Sequence, residues 1–111
     1  MITRYALFQG EIAAGKLADF KSAVMDELLP TWLVYPGATA VRVSFATDRD
    51  DHAPNVPLVL AVDFTSREGL EAAMNSQERL ESRAATQRVL PGLFTGQILH
   101  YVTETSESLV S

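Results

Sequence analysis

The apolar positions of the chain recur at a period of two in some stretches and near 3.6 in others, and the switches mark its elements. Ile2 to Glu11 reads as a first strand, with Tyr5, Leu7 and Phe8 supplying β-propensity before Gly10. From about Ala14 to Leu29, Leu17, Phe20, Val24 and Leu28 recur at steps of three and four, which predicts a helix with one apolar stripe. Pro30 is expected to end or kink it, and Thr31 to Tyr35 to add another turn before the Pro36-Gly37 stop. Ala38 to Thr47 alternates: Thr39, Val41, Val43 and Phe45 share one face, and Ala40, Arg42, Ser44 and Ala46 the other. A polar loop through Asp48 to Asn55 leads to a third strand, Pro57 to Phe64. Its bulky set Leu58, Leu60, Val62 and Phe64 opposes Val59, Ala61 and Asp63. Thr65 and Glu68 fit a capping box for a short helix that breaks near Asn75 and resumes to about Leu90, with Leu80, Ala84, Val89 and Leu90 as its apolar side. Pro91-Gly92 stops it, and Phe94 to Glu104 is the last strand.

The order β-α-β, β-α-β predicts an α+β fold: a four-stranded, mostly antiparallel sheet over residues 1–104 with both helices on one face, and a frayed tail over 105–111. The bulky sets of strands two and three face the helices. The opposite face carries Ala40, Arg42, Ser44, Val59, Ala61 and Asp63. Depending on register, strand one adds either Arg4, Ala6 and Phe8 or Tyr5 and Leu7. No segment remains to cover that face, whose flat area is roughly 400 Å² from strand spacing and rise. Exposed apolar patches on monomers rarely grow larger, so a two-fold homodimer is expected.

Composition narrows the functions. With 111 residues there is room for one domain. The absence of cysteine excludes disulfides, thiolate metal sites and a Cys nucleophile. A formal charge of −5 without a Lys/Arg cluster argues against a nucleic-acid partner. No apolar run reaches the ~20 residues of a membrane span and no leader is visible, so a cytoplasmic protein without membrane contact is expected. There is no phosphate-binding Gly loop, nucleophile elbow or dinucleotide fingerprint; the sequence leaves a haem or flavin site open but favours no axial ligand, and no cofactor is expected.

The run Phe20 to Val43, with its Leu-Pro-x-Trp and Pro-Gly, resembles the dimeric α/β-barrel (ferredoxin-like) superfamily. The block Leu58 to His100 is similar to its EthD-like branch in the order strand, helix ending Ala-x-x-Ser, second helical piece and Phe-x-Gly. The resemblance covers roughly Tyr5 to Val102. Where that branch commonly has His-x-Pro in the first helix, this chain has Asp26-Glu27-Leu28-Leu29-Pro30. The resemblance implies a ferredoxin-like βαββαβ chain that pairs into a dimeric α/β barrel and binds a small apolar or aromatic molecule. Its role is then that of a cofactor-independent monooxygenase or isomerase of catabolic metabolism, or of a non-catalytic accessory module of a degradation pathway.

Within that frame Arg42, Asp63 and His100 are the candidate catalytic residues. Arg42 and Asp63 share a face, so Arg42 either binds a carboxylate or enolate oxygen or forms a structural ion pair with Asp63. His100 is the natural general acid/base on a strand; the wetter set Thr95, Gln97, Leu99 and Tyr101 would turn it toward the helices. Trp32, Tyr35, Arg42 and Tyr101 are the candidate ligand-binding side chains, with Trp32 serving as an aromatic wall or as a core plug. Asp48, Asp50, Asp51 and His52 lack the spacing of a calcium loop, and no metal is expected. Arg79, Arg83 and Arg88, interleaved with Glu78 and Glu81, read as a solvated helix face.

Overall fold

Strand β1 (Ile2–Ile12) lies inside the sheet between β3 (Leu58–Phe64) and β4 (Phe94–Glu104), and β2 (Ala38–Phe45) adds to the far side of β3. The computed structural model describes residues 1–111. All three strand pairs are antiparallel, in the order β2-β3-β1-β4. Helix α1 (Leu17–Ala23) continues through a π-helical turn (Val24–Leu28) into α2 (Leu29–Leu33). Helices α3 (Arg67–Met74) and α4 (Gln77–Val89) follow β3. No helix is long and apolar enough to cross a membrane.

The four-stranded antiparallel sheet with helices on one face is as expected, but the barrel implied by the resemblance is not formed. The sheet is open: β2 and β4 are its outer strands and do not pair with each other. Four strands are too few to close around filled side chains, since even eight leave an interior only just wide enough for them.

The alternation of β2 and β3 sets the core. Leu58, Leu60, Val62 and Phe64 are buried against Phe20, Val24, Leu28 and Trp32 from the first helical segment. Each such side chain contributes roughly 1.5–3 kcal/mol by leaving water. Phe8, Phe20, Phe45 and Phe94 join edge-on or tilted at one end of this layer. The expected stripe holds from Phe20 onward, while Leu17, at the first residue of α1, remains half exposed.

Pro30 does not end the helix. The Leu29 N–H reaches back five residues to the Val24 carbonyl, and this wider π-type bond directly precedes the proline, whose ring would otherwise press on the carbonyl four residues back. The helix runs on to Leu33, which brings Trp32 and Tyr35 onto the sheet. The cap of α3 lies one residue later than the capping box suggested: Ser66, not Thr65, accepts from the Gly69 N–H at 3.1 Å. Ser76 likewise caps α4, confirming the break near Asn75.

Helix α4 is rotated relative to the sequence reading. Leu80 and Ala84 face solvent, and Ser82, Ala85 and Leu90 are buried. At the Phe8–Phe94 end of the sheet, Gly10 and Gly96 face each other across β1 and β4. A Cβ on Gly96 would stand 2.1 Å from the Gln9 carbonyl oxygen, so the two backbones approach closely only because neither residue has a side chain.

Candidate functional site

The register of β1 decides which side chains meet. Arg4 pairs with Val62 and Phe8 with Leu58, so Arg4, Ala6 and Phe8 point to the helices, and Thr3, Tyr5 and Leu7 to the open face. On β4, His100 stands opposite Ala6 and Ile98 opposite Phe8, which turns both toward the helices; Tyr101 stands opposite Tyr5 on the open face. The sequence-derived candidates are therefore split by the sheet. Trp32, Tyr35 and His100 share a cavity on the helix side, whereas Arg42, Asp63 and Tyr101 lie on the other face.

On the open face Arg42 and Asp63 are fully engaged with each other. Arg42 Nη1 donates to Asp63 Oδ2 at 2.6 Å and Nη2 to Oδ1 at 2.9 Å, while the Thr3 hydroxyl donates to Oδ1 at 2.7 Å. The Thr105 hydroxyl donates in turn to Thr3, at 2.8 Å, and the Thr105 N–H bonds to the Met1 carbonyl. The first residue of the tail is thereby tied to the sheet. The Arg42 hydrogen bond holds the Asp63 carboxyl below the usual carboxylate range against the opposing effect of burial, and the same bond raises Arg42. Both terminal nitrogens of the guanidinium are thus directed at one carboxylate, the geometry of an ion pair.

The helix-side cavity has a volume of about 260 Å³ and lies between β1, β4 and the α2–α4 pair. Its apolar wall is Ala6, Phe8, Leu60, Ile98 and Trp32; its polar wall is Tyr35 together with Arg79, Ser82, Arg83 and Thr86 from one face of α4. Those α4 positions recur at three, one and three residues, the spacing of a single helical stripe. The Ser82 hydroxyl donates to the Arg79 carbonyl at 3.0 Å, so its proton is used and the Tyr35 hydroxyl, 2.5 Å from Ser82 Oγ, is the donor between them. The phenol oxygen keeps its lone pairs for another partner.

Arg4 and His100 complete the polar side. They are diagonal neighbours across β1 and β4, a relation that places backbones about 7–8 Å apart. Burial, and then the like charge of Arg79, lowers the Arg4 guanidinium from its ordinary value. His100 is pushed down to about 4, first by the cavity walls displacing its hydration and then by the charges of Arg4 and Arg79. His100 lines the cavity and is at the same time exposed to solvent. At neutral pH it is an uncharged imidazole. No cluster of three or more His, Asp or Glu side chains is placed to hold a metal ion, and His52 is exposed in its loop.

Sequence reasoning missed Arg4, Arg79 and Arg83. Arg4 was undetermined because the face of β1 was open. Arg79 and Arg83 read as solvated because acidic residues interleave with them along the chain. No local signal set them apart, because α4 is polar on most of its surface and the row 79, 82, 83, 86 is singled out only by the way the helix docks.

No family model matches the chain, and no curated protein matches it in sequence. Solved structures do match its fold. A protein of the ethyl tert-butyl ether (EthD) family from Bacillus halodurans C-125 superposes with a TM-score of 0.75 at 18% identity, over 96% of this chain and 99% of that one. HapK from Hahella chejuensis gives 0.65 at 15% identity, over 100% and 98%. SnoaB from Streptomyces nogalater, a cofactor-independent oxygenase, gives 0.60 at 18% identity, over 99% and 97%. These likenesses establish a shared fold with EthD-type and oxygenase proteins.

Proposed function

We propose that this chain binds a small, largely apolar organic molecule in the helix-side cavity and exchanges a proton with it through His100. The observation that carries the reading is one cavity lined by His100, by Trp32 and Tyr35, and by the guanidinium groups of Arg4, Arg79 and Arg83, surroundings that hold the imidazole uncharged at neutral pH. A neutral imidazole can accept a proton from an acidic C–H or O–H, and the guanidinium groups stabilise the anion left behind. An enolate or phenolate made in this way is the species from which isomerisation, or reaction with dioxygen, proceeds. The description of SnoaB as a cofactor-independent oxygenase supports chemistry of this class on this fold. The test is proton exchange: small enolisable aromatic ketones are incubated with the protein in D₂O and loss of their α C–H signals is followed by NMR. Exchange that is lost in His100→Gln while calorimetric binding persists supports the proposal; exchange unchanged in that variant refutes it.

A non-catalytic binding module is the second reading, and one observation favours it. An imidazole titrating at about 4 is a weak base, so a ligand that leaves it there would be held rather than turned over.

We also propose that two copies pair through the open face of the sheet. Leu99 and Tyr101 are exposed there beside the partly buried Leu7 and Val59, and none of the chain's helices lies on that side. Sedimentation at micromolar concentration should give a dimer, and Tyr101→Glu should shift it to monomer. A monomeric wild type refutes the pairing.

A further inference from the structure

Every fully buried side-chain nitrogen and oxygen of the chain has a hydrogen-bond partner, so polar groups left over must face solvent or a ligand. Three guanidinium groups are left over in one place. Arg4, Arg79 and Arg83 line the helix-side cavity, and the two ion pairs of the chain, Lys16–Asp19 and Arg42–Asp63, involve none of them. The guanidinium hydrogen bonds that do form come from Arg42 and Arg49, both elsewhere. The chain carries 14 Asp and Glu against 9 Lys and Arg, yet no carboxylate lines the cavity. In an acidic protein, a cavity with three arginines and no acid is a local inversion of charge.

Gathering like charges is unfavourable, and at Arg4 the charge of Arg79 adds to burial, the larger cause, in lowering the guanidinium. A ligand of opposite charge removes that repulsion and supplies acceptors for up to three forked donors. We infer that the molecule bound in this cavity is an organic anion of one or two rings, whose carboxylate or ionised phenol is held by Arg4, Arg79 and Arg83 while its apolar body lies against Trp32 and the sheet. The inference rests on the small-molecule reading above and names its substrate class. The volume of about 260 Å³ lies near the ~300 Å³ lower end of ordinary ligand sites, which limits the body to that size.

Two causes hold the His100 imidazole low, burial first and then the positive field of Arg4 and Arg79. The charged and titratable groups facing it are Arg4 from β1, Arg79 and Arg83 from α4, and Tyr35 beyond α2. A bound anion offsets that field, so the imidazole becomes more basic when substrate is present than when the cavity is empty. The ligand itself would then turn a weak base into a competent one.

The test is calorimetric titration of the full chain with 2-naphthoate and with its neutral counterpart 2-naphthylmethanol, at low and at high salt, with the His100 ring followed by NMR. The expected result is that naphthoate binds at least about tenfold more tightly than the alcohol. The preference should shrink with salt and in Arg79→Gln/Arg83→Gln, whose substitutions lie at partly or fully exposed positions, and the His100 midpoint should rise on binding naphthoate. If the alcohol binds as tightly as the acid, the anion inference falls and the small-molecule reading stands. If neither compound nor any member of the enolisable panel binds, both fall. A preference for naphthoate that survives in the Arg79/Arg83 double variant also overturns the assignment.

Discussion

Replacing Arg42 with Met removes one half of the ion pair on the open face and keeps most of the side-chain bulk. Asp63 then loses two charge-assisted hydrogen bonds of 2.6 and 2.9 Å and keeps one, from Thr3 at 2.7 Å. Its side chain is only 6% exposed, so water cannot fully replace what is lost, whereas the Arg42 side chain is 51% exposed. Breaking a fully buried pair costs about 3–5 kcal/mol, and an exposed one about 0–1. One deeply buried and one half-exposed partner place the cost between these, at about 1–3 kcal/mol at pH 7. The sign with pH is fixed by Asp63: its carboxyl titrates lower in the folded chain than in the unfolded one. The unfolded state therefore takes up protons first as pH falls. The stabilisation is complete above the unfolded Asp value of ~3.9, declines below it, and is gone once pH passes below the folded value. Urea unfolding of wild type and Arg42→Met at pH 7 and near pH 3 measures both quantities, and a cycle with Asp63→Asn isolates the pair. A loss below about 0.5 kcal/mol at pH 7, or a loss as large near pH 3 as at pH 7, would refute the reasoning.

The His100 imidazole, followed by NMR in the free protein, should show a midpoint near 4. Because the unfolded chain binds that proton from ~6.5 downward, the histidine's contribution to stability is fully present above ~6.5 and is lost as pH falls through about 4. His100→Gln should therefore flatten the stability profile across that window, and an unchanged slope would contradict the assigned environment. Gly96→Ala places a methyl group 2.1 Å from the Gln9 carbonyl oxygen, forcing β1 and β4 apart at that end. A loss of about 2–3 kcal/mol in urea unfolding is expected, whereas Gly92→Ala, with open space around it but a φ of +85°, should cost only the backbone strain of about 1 kcal/mol. Trp32→Ala empties a buried position and should cost about 3–5 kcal/mol; the milder Trp32→Phe should fold and retain weakened binding of an aromatic ligand.

The type and order of the elements were legible in the amino-acid sequence, because periodicity, capping and turn chemistry act over a few residues. The alternation of Val41 to Phe45 and of Leu58 to Phe64 named the helix-facing sets, and one shared face placed Arg42 beside Asp63. Three matters were left to tertiary structure. The face of β1 was ambiguous because Arg4-Ala6-Phe8 and Tyr5-Leu7 are both mixed sets; pairing with Leu58 and Val62 resolved it and sent Arg4 inward. The rotation of α4 was not readable because a largely polar helix has no dominant stripe. In the folded chain the buried Tyr35 hydroxyl bonds to Ser82, and Ser82 and Ala85 are the buried positions of the helix. The barrel failed because resemblance in core and turn residues speaks to a chain's own layers, whereas closure is decided by which strands are left at the edges. The cavity follows from the first two: a register and a rotation, each silent in local sequence, bring three arginines and a histidine from separate elements to one wall.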